Sequence, residues 1–390
     1  MKVLVAFGTR PEAIKLAPVI AELRRRPGFE VLVALTAQHR ELLDQVLRIF
    51  AIDPDEDLSL MQPSQSLATL TSRVVTALDE LLERHQPDLT IVQGDTTSAF
   101  ASALASFYRG VPVAHVEAGL RTSTAINPFP EEINRRLTSV MTLLHCTPTA
   151  GATAALLRLG IDRAAIAETG NPIVDALHHI LQSPAMASAT LPPALDPRLR
   201  LVLVTVHRRE NWINLQAICA AIRAIVDRRT DVQVAITVHP NPVVQQTLST
   251  ELGALDRVLL LPPLDYVAFI KLMAESWIVL TDSGGVQEEA PVLGRPVLIM
   301  RDETERPEAV DAGVARIVGA SRDGILSGAL ALLTDDGVRN RMAKAVSPFG
   351  DGHAAARIAD AIEERRSEIE AFKSRTGNPR VFRNVATNAR

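Results

Sequence analysis

The sequence predicts an α/β protein made of two doubly wound domains, each with a parallel sheet. Three observations carry that expectation. The chain has 390 residues, more than a single hydrophobic core usually organises. Short runs rich in valine, isoleucine and leucine alternate with helix-length segments along its length, the rhythm of strand–helix–strand units. Those runs are continuously apolar rather than alternating, which marks strands buried on both faces of a parallel sheet.

Taken in order, strands are expected at "KVLVAF", "VLVALT", "LTIVQGD", "PVAHVEAG", "LLHCTPT" and "IAETGN" in the first half. In the second half they fall at "LVLVTVH", "VQVAITVHP", "RVLLLPP", "WIVLTDSGG", "PVLIMRD" and "ARIVG". Between the halves, "NPIVDALHHILQ" has a helical pattern and "SPAMASATLPPALDPRLR" is a proline- and alanine-rich connector. The expected domains are therefore residues 1–172 and 195–350. From Ala354 onward, Ile358, Ile362, Ile369 and Phe372 recur at helical spacings, predicting a helix over 354–374. Residues 375–390 have little to bury and are expected as a disordered tail.

Composition narrows the class of function. With 47% hydrophobic and 22% charged residues and a net charge of −4, the chain has no basic excess for nucleic acid or an anionic membrane. Cys146 and Cys219 lie far apart and form no CxxC, against a disulfide scaffold or a cysteine-built metal site. The first apolar run is shorter than the about 7–15 residues of a signal-peptide core. No apolar stretch reaches the ~20 residues of a membrane span. A cytoplasmic protein is expected.

In open parallel sheets, ligands bind beyond the carboxyl ends of the strands. There the first half presents Gly8 to Arg10, Asp95 and Glu117, and the second His207 to Arg209, His239, Ser283 to Gly285, and Arg301 with "DETERPE". Two such domains facing each other would line a cleft from both sides. Several motifs are excluded. "FGTRPEAIK" lacks GxxxxGK[ST], and no GxGxxG follows the first strand, so neither a P-loop nor a nicotinamide site is expected. His115 and Glu117 form HxE, but the PCxxC of zinc deaminases is missing and a buried strand histidine is the better reading. The histidine spacings imply no zinc, and no metal or cofactor is expected.

"SGG" at a strand–helix junction fits a phosphate site, because glycines let backbone approach and a helix N-terminus offers unpaired N–H groups. A tight turn that binds nothing explains a bare SGG equally well; Arg10, His207, Arg208, Arg209 and Arg306, all near strand ends, favour the phosphate. Against these cations stand Asp95, Glu117 and Glu131. Asp95 could instead cap the "TTSAF" helix, and Glu131 could simply open one. Three acids facing a phosphate site suggest proton transfer at a sugar, with a diphosphate as anchor or leaving group.

The motifs "FGTRPEAIKLAPV", "TAQHRELLDQVL", "GDTTSAFASALASFY", "HVEAGLRT", "PFPEEINRR", "HRREN", "TDSGGVQEEAPVLGRPVLIMRDETERPEAV" and "FGDGHAAARI", in this order, resemble the non-hydrolysing UDP-N-acetylglucosamine 2-epimerases. The resemblance implies the GT-B fold: two Rossmann-like domains, an interdomain active-site cleft, and a C-terminal helix returning to the first domain. It further implies interconversion of UDP-N-acetylglucosamine and UDP-N-acetylmannosamine by a homodimer, without cofactor, supplying surface polysaccharides. The family eliminates UDP across C1 and C2 to 2-acetamidoglucal, then adds it back with the C2 proton on the opposite face.

Matched position by position, Asp95, Glu117 and Glu131 are the implied catalytic acids, His207 the implied essential histidine near the diphosphate, and Lys15 a further implied catalytic residue in the first motif. Arg10 and Arg306 are implied to touch substrate, Ser283, Gly284 and Gly285 to hold phosphate, Glu289 the ribose and Phe269 the uracil. Glu289 lies about one turn, ~5–6 Å, past Gly285, whereas Glu288 points about 100° away and is expected to be structural. There are departures. Leu264 stands where some relatives have glutamine. Gln38 and His39 fit an allosteric activator site, yet Glu41 and Ser64 replace a glutamine and an arginine, so activation is not expected. A hydrolysing epimerase, an epimerase for UDP-2,3-diacetamido-glucuronic acid, a GT-B glycosyltransferase and a nucleotide-sugar sensor are the alternatives.

Overall fold

The structure, a computed structural model, describes every residue except 37–39, 61–64, 123, 127 and 377–390, and omits the side chains of 40–42 and 376. The chain divides into two compact units: residues 1–176 with the return from Phe349, and Leu177–Pro348.

The first unit is a parallel sheet with helices between its strands. Its elements are β1 (Lys2–Phe7), α1 (Arg10–Arg25), β2 (Glu30–Leu35), α2 (Arg40–Ile49), β3 (Glu56–Asp57), α3 (Leu67–His85), β4 (Leu89–Gln93), α4 (Thr97–Tyr108), β5 (Val113–Val116), α5 (Glu131–Met141), β6 (Leu144–Thr147), α6 (Ala150–Arg158) and β7 (Ile166–Glu168). Strand order is β3-β2-β1-β4-β5-β6-β7. Val3 to Phe7 are fully buried, the two-sided burial that the apolar run predicts. Helix α4 packs against both α3 and α5, and its buried residues include Ala99, Ala101, Ser102, Ala103, Ala105 and Ser106. Small residues allow that close approach. Among the described strands of this unit, β3 was not expected: two acidic residues carry no apolar signal.

Helix α7 (Pro172–Leu181) contains the division between the units, and α8 (Pro184–Ser188) is a short helix within the connector. The second unit continues with β8 (Arg200–Thr205), α9 (Leu215–Arg228), β9 (Val232–Thr237), α10 (Pro242–Leu252), β10 (Val258–Leu261), α11 (Tyr266–Ala274), β11 (Ile278–Thr281) and α12 (Gly284–Val292). It ends with β12 (Val297–Ile299), α13 (Pro307–Asp311), β13 (Ala315–Ile317), α14 (Arg322–Thr334) and α15 (Asp336–Lys344). Its parallel sheet has the order β10-β9-β8-β11-β12-β13. The core packs α9 and α14 residues such as Ile218, Ile222, Ile325 and Leu332 onto Val202, Val204 and Leu280.

The chain then returns to the first unit as α16 (Ala354–Glu364) and α17 (Arg366–Thr376). Helix α16 packs on α1 through buried Ile358 and Ile362. Its start is anchored by Asp175, whose carboxylate accepts from the Ala354 and Ala355 N–H groups at 3.1 and 3.0 Å. Of the expected tail 375–390, residues 377–390 lie outside the described residues. No described helix is long and apolar enough to cross a membrane.

In each sheet the strand order reverses between the first strand and the fourth of its unit: β1 beside β4, and β8 beside β11. Turns leaving neighbouring strands in opposite directions open a crevice at that point. The candidate residues cluster at the same end of each sheet.

Candidate active site

In the first unit, β4 and β5 are adjacent, and each ends in an expected acid. Asp95 follows Gly94, which takes φ +69°. Four groups fix this turn. His115 is fully buried and its Nε2 donates to the Gly94 carbonyl at 2.7 Å. Burial pushes that imidazole down to about 4, so it is a neutral structural histidine. Asn134 donates to the Asp95 carbonyl at 2.9 Å. Arg135 donates from Nε and Nη2 to Asp95 Oδ2 at 3.1 and 2.6 Å. The fourth is Thr96, which rather than Asp95 caps α4.

Glu117 follows β5 directly and adopts φ +64°, a left-handed conformation costing a non-glycine residue about 1–3 kcal/mol. It is 7% exposed. Lys15, from α1 and equally buried, makes a short ion pair with its Oε2. Asn171 Nδ2 donates to the same oxygen at 3.4 Å. The strained acid is thus held by a cation and an amide. Gly119, at φ +94°, has no room for a Cβ, which would meet the Ala152 carbonyl oxygen at 2.4 Å.

Glu131 opens α5 and is half-buried. Its neighbour Glu132 is fully buried and accepts from Thr122 N–H, Arg135 Nη1 and Arg136 Nε at 3.1, 2.9 and 2.7 Å. Of the two glutamates, Glu132 locks α5 and, through Arg135, braces Asp95. Arg10 is the first residue of α1, half-buried, with no ion-pair partner among the described residues.

In the second unit, β8 and β11 are adjacent, and one buried carboxylate joins their turns. Asp282 accepts from the His207 N–H at 2.8 Å through Oδ1. Its Oδ2 accepts from the Arg208 N–H and Asn211 Nδ2 at 3.2 and 3.1 Å. Burial raises its pKa despite these bonds. The His207 side chain is exposed, with its ring edge-on to His239 at 5.4 Å between centroids.

Helix α12 begins at Gly284. Ser283 is its N-cap, but its side chain makes no capping bond. A Cβ on Gly284 would meet Arg306 Nη1 at 2.5 Å, whereas one on Gly285 would meet nothing within 4 Å. The Arg306 guanidinium therefore lies directly against the start of α12. Arg306 donates from Nε to Glu288 Oε1 at 2.6 Å, so Glu288 positions that arginine from the helix interior. Glu305 is shared by three arginines: Arg301, Arg208 and Arg306 lie at 2.8, 3.2 and 3.5 Å. Burial opposes its charge, but the arginines prevail and hold it far below the usual carboxylate range. Glu289 is 6% exposed and accepts from the Tyr266 hydroxyl at 2.8 Å. Phe269 is half-buried on α11.

The structure thus groups Asp95, Glu117, Lys15 and Arg10 at neighbouring turns of the first sheet, with Glu131 opening α5. It groups His207, Ser283, Gly284, Gly285, Glu289 and Arg306 around β8, β11 and α12 of the second. Gln38, His39 and Ser64 lie outside the described residues, as does the side chain of Glu41. Sequence reasoning passed over Asp282, Arg135, Asn171, Glu305, Tyr266 and Glu12; a T-x-x-E capping box at Thr9 and Glu12 was the one signal available. Among the described residues, no group of three or more His, Cys, Asp or Glu is placed to hold a metal ion.

Two parallel-sheet units of seven and six strands define a protein of the GT-B fold. The chain belongs to the UDP-N-acetylglucosamine 2-epimerase family, whose profile matches residues 21–363. It is 46% identical over 377 residues to the UDP-N-acetylglucosamine 2-epimerase of Escherichia coli O157:H7, covering 95% of this chain and 100% of that protein. The Neisseria meningitidis UDP-GlcNAc 2-epimerase, solved bound to UDP-GlcNAc, superposes with a TM-score of 0.89 at 42% identity, over 93% of this chain and 100% of that one. The Methanocaldococcus jannaschii enzyme, solved with UDP-GlcNAc and UDP, gives a TM-score of 0.81 at 30% identity over the same shares.

Proposed function

We propose that the protein interconverts UDP-N-acetylglucosamine and UDP-N-acetylmannosamine without hydrolysis, by eliminating UDP across C1 and C2 and adding it back. The observation that carries this reading is the pair of carboxylates, Asp95 and Glu117, at the ends of adjacent strands, each beside its own cation. Relatives that share the fold at 42% and 30% identity have been solved with UDP-GlcNAc.

The C2 proton is weakly acidic, because no carbonyl flanks that carbon. Direct removal and return would leave a carbanion without stabilisation. Elimination avoids this: a base takes the C2 proton, the C1–C2 double bond forms, and the C1–oxygen electrons leave with UDP. Re-addition reverses each step, with the proton delivered to the other face. Glu117 and Asp95 serve as the proton-transfer groups at C2, assisted by Glu131, and Lys15 pairs with Glu117 and orients it. The departing diphosphate is held by the α12 N-terminus at Ser283, Gly284 and Gly285 and by His207, Arg10 and Arg306. Glu289 accepts from the ribose hydroxyls and Phe269 packs on the uracil. The same reading makes the protein a cytoplasmic homodimer that needs no cofactor and no activating second nucleotide sugar.

Incubation with UDP-N-acetylglucosamine in heavy water, followed by NMR, tests this. The expected result is deuterium at C2 together with intact UDP-N-acetylmannosamine. Free UDP with N-acetylmannosamine would show a hydrolysing enzyme. No C2 exchange would remove the epimerase reading.

A further inference from the structure

Glu12, in the first turn of α1, is 1% exposed and takes no part in the chemistry above. Its carboxylate is nevertheless fully engaged. Oε2 accepts from the Gly8 and Thr9 N–H groups at 3.1 and 2.8 Å, and Oε1 accepts from the Thr96 hydroxyl at 2.7 Å. Thr96 in turn accepts from the Ala99 N–H at 3.0 Å, capping α4. Thr9 accepts from the Glu12 N–H at 3.5 Å, completing the capping box on α1.

Those bonds cross the first sheet's switch point. Gly8 and Thr9 follow β1, Thr96 follows β4, and the two strands are hydrogen-bonded neighbours. One side carries Arg10 and, further along α1, Lys15; the other carries Asp95. A helix N-terminus at a switch point is where an open α/β sheet normally receives an anion. Here the chain supplies its own: Glu12 sits against two adjacent helix starts, both of which favour negative charge.

We infer that Glu12, through Thr96, is a positioning residue that fixes the Asp95 turn against the turn bearing Arg10, and that it fills the anion seat of the first unit. The bonded chain Gly8/Thr9–Glu12–Thr96–Ala99 joins the two turns through side-chain hydrogen bonds. Burial works against the charge on Glu12 and raises its pKa, while its hydrogen bonds act to lower it.

The test is Thr96→Val, which keeps shape but removes the hydroxyl that reaches Glu12, with Thr96→Ser as the control that restores it. Amide hydrogen exchange should become at least ~5-fold faster at Gly8 and Thr9 in Thr96→Val and stay near wild type in Thr96→Ser. Thr96 makes no bond to those amides, whereas it caps the Ala99 N–H; faster exchange at Ala99 alone reports the lost cap, and faster exchange at Gly8 and Thr9 reports the link through Glu12. Unchanged exchange at residues 8 and 9 would overturn the link. The catalytic part rests on the epimerase reading: kcat should fall about 10-fold in Thr96→Val with UDP affinity within about 2-fold of wild type, and recover in Thr96→Ser. Equal losses in kcat and UDP affinity, or no recovery with serine, would reduce Glu12 to a fold-stabilising role. A protein with coupled exchange but no epimerisation would sink the proposed function and leave the link standing.

Discussion

At the switch point of the first unit, the helix N-terminus is occupied by the protein itself; at that of the second, it is left open. Glu12 reaches back over the start of α1 and accepts from Gly8 and Thr9, while Thr9 caps the same helix. In the second unit the bridging carboxylate, Asp282, points away from its own helix and accepts from the turn after β8. Ser283 makes no side-chain cap, and Arg306 lies against Gly284. Both units thus tie their two switch-point turns with one buried acid. The difference lies in which way that acid faces. A carboxylate turned onto its own helix start excludes an incoming anion; one turned away leaves N–H groups, and here a guanidinium, for it. On the proposed function, the filled helix start belongs to the unit with the proton-transfer groups and the open one to the unit that takes the diphosphate.

The largest expected effect separates the units by acid sensitivity. His115 and His145 lie side by side on β5 and β6 of the first unit, with pKa values pushed down by burial to about 4 and about 3. In the unfolded chain each would titrate near 6.5. Between pH 6.5 and 4 the unfolded state therefore binds more protons than the folded one, and stability falls as pH falls through that window. For His115 the full loss is about 3 kcal/mol. The first unit should lose amide protection before the second on acidification. His115→Gln, which keeps a donor for Gly94 but cannot titrate, should flatten the decline. An identical pH profile in that variant would show that the sensitivity lies elsewhere.

Next comes Glu117→Gln. The first unit should lose its chemistry while the second keeps its ligand: C2 exchange falls at least ~100-fold, and UDP binding by calorimetry stays close to wild type. Near-normal turnover would remove Glu117 from the mechanism. A large loss of UDP affinity would instead blur the division of labour between the units.

How much of this was legible in the sequence follows from where each partner lies. The long parallel strands announce themselves because burial on both faces demands uninterrupted apolar runs, as in Val3 to Phe7. The places of Asp95, Glu117 and Ser283 to Gly285 just past strand ends were reachable because the apolar runs stop shortly before them. The GT-B fold and the family were reachable because long motifs recur in order. The bracing residues were not. Asp282 meets His207 across 75 positions, Thr96 meets Glu12 across 84, and Arg135 meets Asp95 across 40. No local pattern encodes such pairings; they exist only once β4 and β11 insert beside β1 and β8 and α5 packs on α4. β3, as Glu56–Asp57, was invisible for the opposite reason, being too short and too charged to look like a strand.

The smallest effect is also the finest probe of the open helix start. Gly284→Ala places a Cβ at 2.5 Å from Arg306 Nη1 and 2.7 Å from its Cζ. An exposed arginine would swing away at little cost. This one is tethered to Glu288 and Glu305 at 2.6 and 3.5 Å, so relief must break a buried ion pair or shift α12. Gly285→Ala meets nothing within 4 Å. Gly284→Ala should therefore lower Tm and weaken UDP binding about 10-fold, or about 1.4 kcal/mol. Gly285→Ala should leave Tm unchanged, so that any loss of UDP affinity there reports contact with the ligand alone. If both variants melt like wild type and bind UDP normally, the α12 start is not the diphosphate seat, and the contrast with the filled start of α1 loses its meaning.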